Sequence, residues 1–152
     1  MEEVVVTGMG CVSALGNTPE ILWENLLAGK SGVTTITHFD TSAYEVHFAA
    51  EVKEFDASPY FSDRDQKRYS RNIQYAVSAA SDAVKNSGLN VDSLDKSRAG
   101  VILASGMGGM DVYYDTSATL ANKGPRRVSP FFIPMAITNM AAGEVSIRFG
   151  FM

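Results

Sequence analysis

Ala99-Gly100-Val101-Ile102-Leu103-Ala104-Ser105-Gly106-Met107-Gly108-Gly109 decides the fold class. Its apolar centre shows no polar alternation, the pattern of a strand buried on both faces, as parallel sheets require. Upstream, Ile73, Ala76, Val77, Ala80, Ala83 and Val84 repeat at helical spacing and form a narrow, alanine-rich stripe. Ser62 is placed to cap this long helix, with Asp63 and Asp65 in its first turn, and Ser87-Gly88 ends it. Further upstream, Val4-Val5-Val6-Thr7 is a second β-branched run, closed by Gly8-Met9-Gly10. A helix follows it, opened by Asn17 or Thr18 with Pro19 at its first position, carrying Leu22, Trp23, Leu26 and Leu27 and stopping at Gly29. Residues 30–60 read as an irregular excursion with one edge hairpin, drawn from 33–36 and 46–52. Downstream lie a helix over 111–121, a turn with a basic tip at 123–127, and a last helix opened by Pro134 that carries Ile137, Met140, Ala141, Val145 and Ile147. Strand, helix, long helix, strand, helix predicts an α/β fold with a largely parallel sheet.

Composition sets the outer bounds. The 152 residues are 45% hydrophobic and 20% charged, which suits one globular domain and excludes disorder, collagen and coiled coil. A net charge of −4 argues against general nucleic-acid binding. The single cysteine precludes an internal disulfide and fits a reducing compartment. No apolar run reaches the ~20 residues of a membrane span. The first residues lack the features of a signal or transit peptide.

The motif search finds no complete catalytic constellation. Gly8-Met9-Gly10 lacks the third glycine of a dinucleotide fingerprint, because Ser13 holds that place, and Gly106-Met107-Gly108 fails likewise at Asp111. No phosphate-binding GxxxxGK[ST] motif and no G-x-S-x-G elbow occurs. His38, His47 and Cys11 are scattered without metal-ligand spacing, so no metal site is expected. Cys11 has no cationic neighbour to lower its pKa and reads as a small buried hydrophobe.

The cations are more informative. Arg64, Lys67, Arg68 and Arg71 fall at i, i+3, i+4 and i+7, one face of the expected long helix. Positive charge at a helix start opposes the macrodipole, so local stability does not favour the cluster there. Arg126 and Arg127 add a second basic tip. On an acidic chain, two such spots predict a patch that steers an acidic partner.

Three segments together carry a family resemblance. Residues 4–17 (VVVTGMGCVSALGN) look like the opening strand and turn of the elongating β-ketoacyl-acyl carrier protein synthases. Residues 99–109 resemble that family's second core strand and glycine turn. Gly124-Pro125-Arg126-Arg127-Val128-Ser129-Pro130-Phe131-Phe132-Ile133-Pro134, running into Ile137-Thr138-Asn139-Met140, is similar to its G-x-R-[RK]-[IV]-S-P-F-F-[IV]-P segment. The segments stand in family order and spacing, and the resemblance covers all 152 residues.

The resemblance implies a thiolase-like fold, of which residues 1–152 are the amino-terminal part of the first βαβαβαββ half plus its cap region. It implies an acyltransferase that elongates fatty acids by decarboxylative Claisen condensation of acyl-carrier protein with malonyl-carrier protein, without cofactor or metal. The family's nucleophilic Cys, in a T-A-C context, and its catalytic histidines and lysine follow the last matched segment, so none is expected here and the chain alone is expected to be inactive. By the same resemblance, Met107, Phe131, Phe132 and Ile133 line the acyl pocket. Arg64, Lys67, Arg68, Arg126 and Arg127 match the family's carrier-docking positions, whereas Arg71 does not and reads as a solvated neighbour. The implied partners are acyl carrier protein and a second copy of the intact enzyme, in bacterial cytoplasm or in a plastid or mitochondrial interior. The alternative reading is a non-catalytic relative of the chain-length-factor type, which pairs with an active partner.

Overall fold

The computed structural model describes residues 3–152. In chain order it holds α1 (Pro19–Leu27), β1 (Thr34–Thr35), β2 (Phe48–Ala49), α2 (Asp63–Gln66), α3 (Arg71–Asn86), α4 (Met110–Lys123), α5 (Phe132–Ala136) and α6 (Met140–Phe149). Single 3₁₀ turns lie at Lys96–Arg98 and Pro125–Arg127.

The start of α1 follows its sequence signals. Thr18 is the cap, its hydroxyl accepting from the Ile21 N–H, with Pro19 at the first position and Glu20 in the first turn. Asn17, the other candidate, instead donates to the Lys53 carbonyl at 2.9 Å and ties this corner to the excursion. The expected hairpin forms as a short antiparallel pair, Thr34 opposite Ala49 and Thr35 opposite Phe48. Glu51 fastens its flank, accepting from the backbone N–H groups of Thr37 and His38 and from the Thr37 hydroxyl at 2.8 Å.

The expected long helix is broken. Ser62 caps α2, which runs only to Gln66, and α3 starts afresh behind Ser70, whose ψ of 158° is extended. Gln74 stabilises the break: its side-chain amide donates to the carbonyls of Gln66 and Tyr69, both at 2.8 Å, satisfying acceptors that a continuous helix would have used internally. The last helix is divided too. Pro134 sits in the first turn of α5, where its missing N–H costs nothing, and α6 begins at Met140.

Packing centres on α3 against α6. Ile73 and Val77 are fully buried, and with Val145, Phe61 and Ala57 they form the core. Removing each such aliphatic side chain from water stabilises the fold by about 1.5–3 kcal/mol. The alanines of α3 serve close approach, as their size predicts. A Cβ at Gly8 would overlap the Ala83 carbonyl oxygen, and one at Gly10 that of Ala79. The first glycine turn is therefore a packing device against α3, and Asn86 closes it by donating to the Met9 carbonyl at 3.0 Å.

Both expected core strands depart from expectation. Residues 4–7 and 99–105 have no ladder partner, and the only sheet among the described residues is the antiparallel β1–β2 pair. A parallel ladder needs strands alongside, and these runs have none: Val4 is 94% and Ile102 98% exposed. Apolar runs this bare are surfaces shaped to be covered.

Candidate functional site

The glycine turn at 106–109 is where distant parts of the chain converge. Ser105 Oγ accepts from the Gly108 N–H at 2.9 Å, and Gly108 takes φ 67°, which a side chain would oppose. Gly109 donates its N–H to the Ala136 carbonyl at 3.1 Å. Side chains here would overlap the carbonyl oxygens of Ala136 and Met135, so only glycines let this turn lie against the end of α5. The backbone that carries Met107 thus touches the one that carries Phe131, Phe132 and Ile133. Phe132 is held edge-on to Tyr113 of α4 at 5.3 Å, and the Phe131 N–H donates to Ser129 Oγ at 3.1 Å. Met107, Phe131 and Ile133 remain exposed, while Phe132 is half-buried.

The cations do not share one helical face, because the α2–α3 break separates them. Arg64 lies in α2, Lys67 is its C-cap, Arg68 is in the connecting turn, and Arg71 opens α3. Arg64 and Lys67 are exposed. Arg68 is half-buried, its guanidinium carbon 4.3 Å from the centre of the Phe131 ring. Lys67 and Arg71 line a cavity of about 550 Å³ together with Asp56, Asp111, Asp115 and Thr116. Arg126 and Arg127 stand exposed on the 3₁₀ turn that follows Gly124, at φ 81°.

Tertiary structure brings the two basic spots together by a route the spacing does not contain. Asp115 and Thr116 of α4 border both the Lys67 cavity and a smaller one that holds Arg127. Lys67 and Arg127 therefore flank the middle of α4. Lys123 joins Arg127 and Thr119 around a neighbouring hollow. Lys123, expected in the basic-tipped turn, is instead the last residue of α4, where its charge complements the macrodipole.

The remaining candidates behave as structural residues. Cys11 is half-buried rather than fully buried as expected; even so, burial pushes its thiol upward, and the carboxylates of Glu20 and Asp82 add to the shift, so it is held as a thiol rather than a nucleophilic thiolate. His38 stands 3.9 Å from the Glu51 carboxylate, and His47 shares a hydrogen bond with the Thr41 hydroxyl at 3.1 Å. Both belong to the excursion around the hairpin, as expected.

Comparison with known proteins gives a consistent result. Residues 1–152 match the family described as "Beta-ketoacyl synthase, N-terminal domain". The chain is 46% identical over 147 residues to 3-oxoacyl-[acyl-carrier-protein] synthase 2 of Vibrio cholerae, covering 97% of this chain and 36% of that protein. To the protein of the same name from Staphylococcus aureus it is 44% identical over 149 residues, covering 98% and 36%. A solved structure described as "The ishigamide ketosynthase/chain length factor" superposes with a TM-score of 0.85 at 27% identity, over 97% of this chain and 37% of that one. The chain thus spans little more than a third of the length of the relatives it matches. Its fold is that of the ketosynthases it superposes on, and the runs at 4–7 and 99–105 are unpaired among the described residues.

Proposed function

The chain belongs to the beta-ketoacyl synthase family, and on that premise we propose that it is the amino-terminal portion of an elongating 3-oxoacyl-acyl carrier protein synthase. In the longer enzyme an acyl group passes from its carrier thioester to a cysteine thiolate outside residues 1–152, releasing the carrier thiol. Malonyl-carrier protein then loses CO2, and the carbanion left behind attacks the acyl thioester. The cysteine thiolate departs, and the product is a 3-oxoacyl-carrier protein. Covalent catalysis divides one hard condensation into easier steps. A homodimer in a bacterial cytoplasm is the setting this reading adopts, since the relatives named above are bacterial.

Residues 1–152 contribute shape and steering. Met107, Phe131, Phe132 and Ile133 supply part of the acyl-pocket wall, the segment Phe131–Ile133 reaching that pocket at the dimer interface. Arg64, Lys67, Arg126 and Arg127 dock the acidic carrier. The observation that carries the reading is the seat of the glycine turn on α5, which puts these apolar side chains on touching segments, with the Arg68 guanidinium over the Phe131 ring. Long-range charge steering acts chiefly on association and weakens with salt.

The test is a charge reversal in the full-length enzyme. Lys67→Glu with Arg127→Glu should raise KM for acyl-carrier protein by about tenfold at low salt and less at high salt. Turnover of a small acyl thioester without the carrier should stay near the starting value. Equal loss on both substrates would assign these residues to the fold and remove the docking role. The chain-length-factor reading predicts no condensation by the full-length protein in isolation.

A further inference from the structure

Of the cations brought to this face, Arg68 alone has its charged group stacked on an aromatic ring of the apolar segment. Its guanidinium carbon lies 4.3 Å from the centre of the Phe131 ring, well inside the ~6 Å over which a cation is attracted to a ring face. Its Nε is buried with no hydrogen-bond acceptor, and no carboxylate lies within ion-pair distance among the described residues. The ring is therefore the polar-compatible surface that the guanidinium has found. Arg64 and Lys67, by contrast, extend into solvent.

The consequences run along the chain from Phe131. This residue caps α5: its carbonyl accepts from the Met135 N–H at 3.0 Å and its N–H is held by Ser129. Phe132 and Ile133 follow directly, the first pinned by Tyr113. Phe131 itself is 40% exposed, so Arg68 is the group that closes over one face of an otherwise open ring. We propose that Arg68 is a positioning residue: its guanidinium holds the Phe131 ring, and through it the start of α5, so that it sets acyl-chain selectivity rather than carrier affinity. This rests on the acyl-pocket reading of Phe131–Ile133 and deepens it, and it moves Arg68 from the docking set to the pocket's support.

The experiment uses the full-length enzyme and compares Arg68→Lys, Arg68→Met and Phe131→Leu with Lys67→Glu. Lysine keeps the charge but loses the planar stack, so it separates the two roles without threatening the fold. Arg68→Lys should shift the ratio of kcat/KM for long over short acyl chains by about threefold, with KM for acyl-carrier protein changed by less than about twofold. Phe131→Leu should give the same shift, and the double variant no further one, because both act on a single contact. An unchanged chain-length profile in Arg68→Lys and Arg68→Met, with carrier KM raised as in Lys67→Glu, would overturn the proposal and return Arg68 to the docking set. Absence of any 3-oxoacyl product from the unsubstituted enzyme would instead overturn the underlying reading, so the two failures are distinct.

Discussion

At the scale of single residues, glycine and methionine at 106–109 divide the labour. The glycines are fixed by geometry, since side chains at 108 and 109 would overlap α5 carbonyls. Met107 is free of that constraint and stands exposed where the apolar segments meet. On the proposed acyl-pocket role, Met107→Phe in the full-length enzyme should shorten the longest acyl chain accepted, because the added bulk takes space from the chain. Product analysis over a series of chain lengths measures this. An unchanged profile with lowered stability would make Met107 a core residue only. Much at this scale was legible in advance: Cys11 lacked cationic neighbours, and burial, then the carboxylates of Glu20 and Asp82, raise its pKa. What stayed hidden was pairing across the chain. Arg68 and Phe131 are 63 positions apart, and no periodicity links them.

The elements show where local signals suffice and where they mislead. Thr18-Pro19 at α1 acted through its own backbone, so the start was readable. The stretch from Ser62 to Asn86 carried a continuous apolar stripe only from Ile73 onward; Ser62 caps α2 with its hydroxyl, whereas Ser70 stands at the start of α3 without a side-chain capping bond. A second serine eight residues on was the overlooked positional signal. A break there depends on Gln74 reaching back to two carbonyls, which is a property of the folded turn rather than of spacing. Gln74→Ala should lower stability by about 1–3 kcal/mol, since both acceptors lose their donor. Gln66→Ala, whose amide reaches only the Phe61 carbonyl at 3.3 Å, should cost less. Thermal unfolding of the two variants side by side decides this, and equal losses would deny Gln74 its special role.

For the whole molecule, the α/β class was readable from buried-type runs, but the sheet was not, because among the described residues neither run has a strand beside it. The bare faces of Val4 and Ile102 are the physical trace of that absence. Within these residues, Tyr60 joins the segment before α2 to α3 by donating to Asp82 at 2.8 Å. Burial first, then the hydrogen bond and charge of Asp82, push its pKa up to about 12 from an ordinary 10.0. The unfolded chain ionises this tyrosine first, so the stability it contributes is whole below pH ~10 and is lost as pH rises toward ~12. Tyr60→Phe should flatten the fall in melting temperature across that window, and an unaltered slope would contradict the assignment.

The central claim is that this chain belongs to an active condensing enzyme while lacking its reacting groups. The most direct measurement is product formation from acyl- and malonyl-carrier protein by the full-length protein, by its Cys11→Ser variant, and by residues 1–152 alone. The account predicts 3-oxoacyl-carrier protein from the first two at equal rates and none from the third. Product from residues 1–152 that vanishes with Cys11→Ser, or none from the full-length protein, would contradict it.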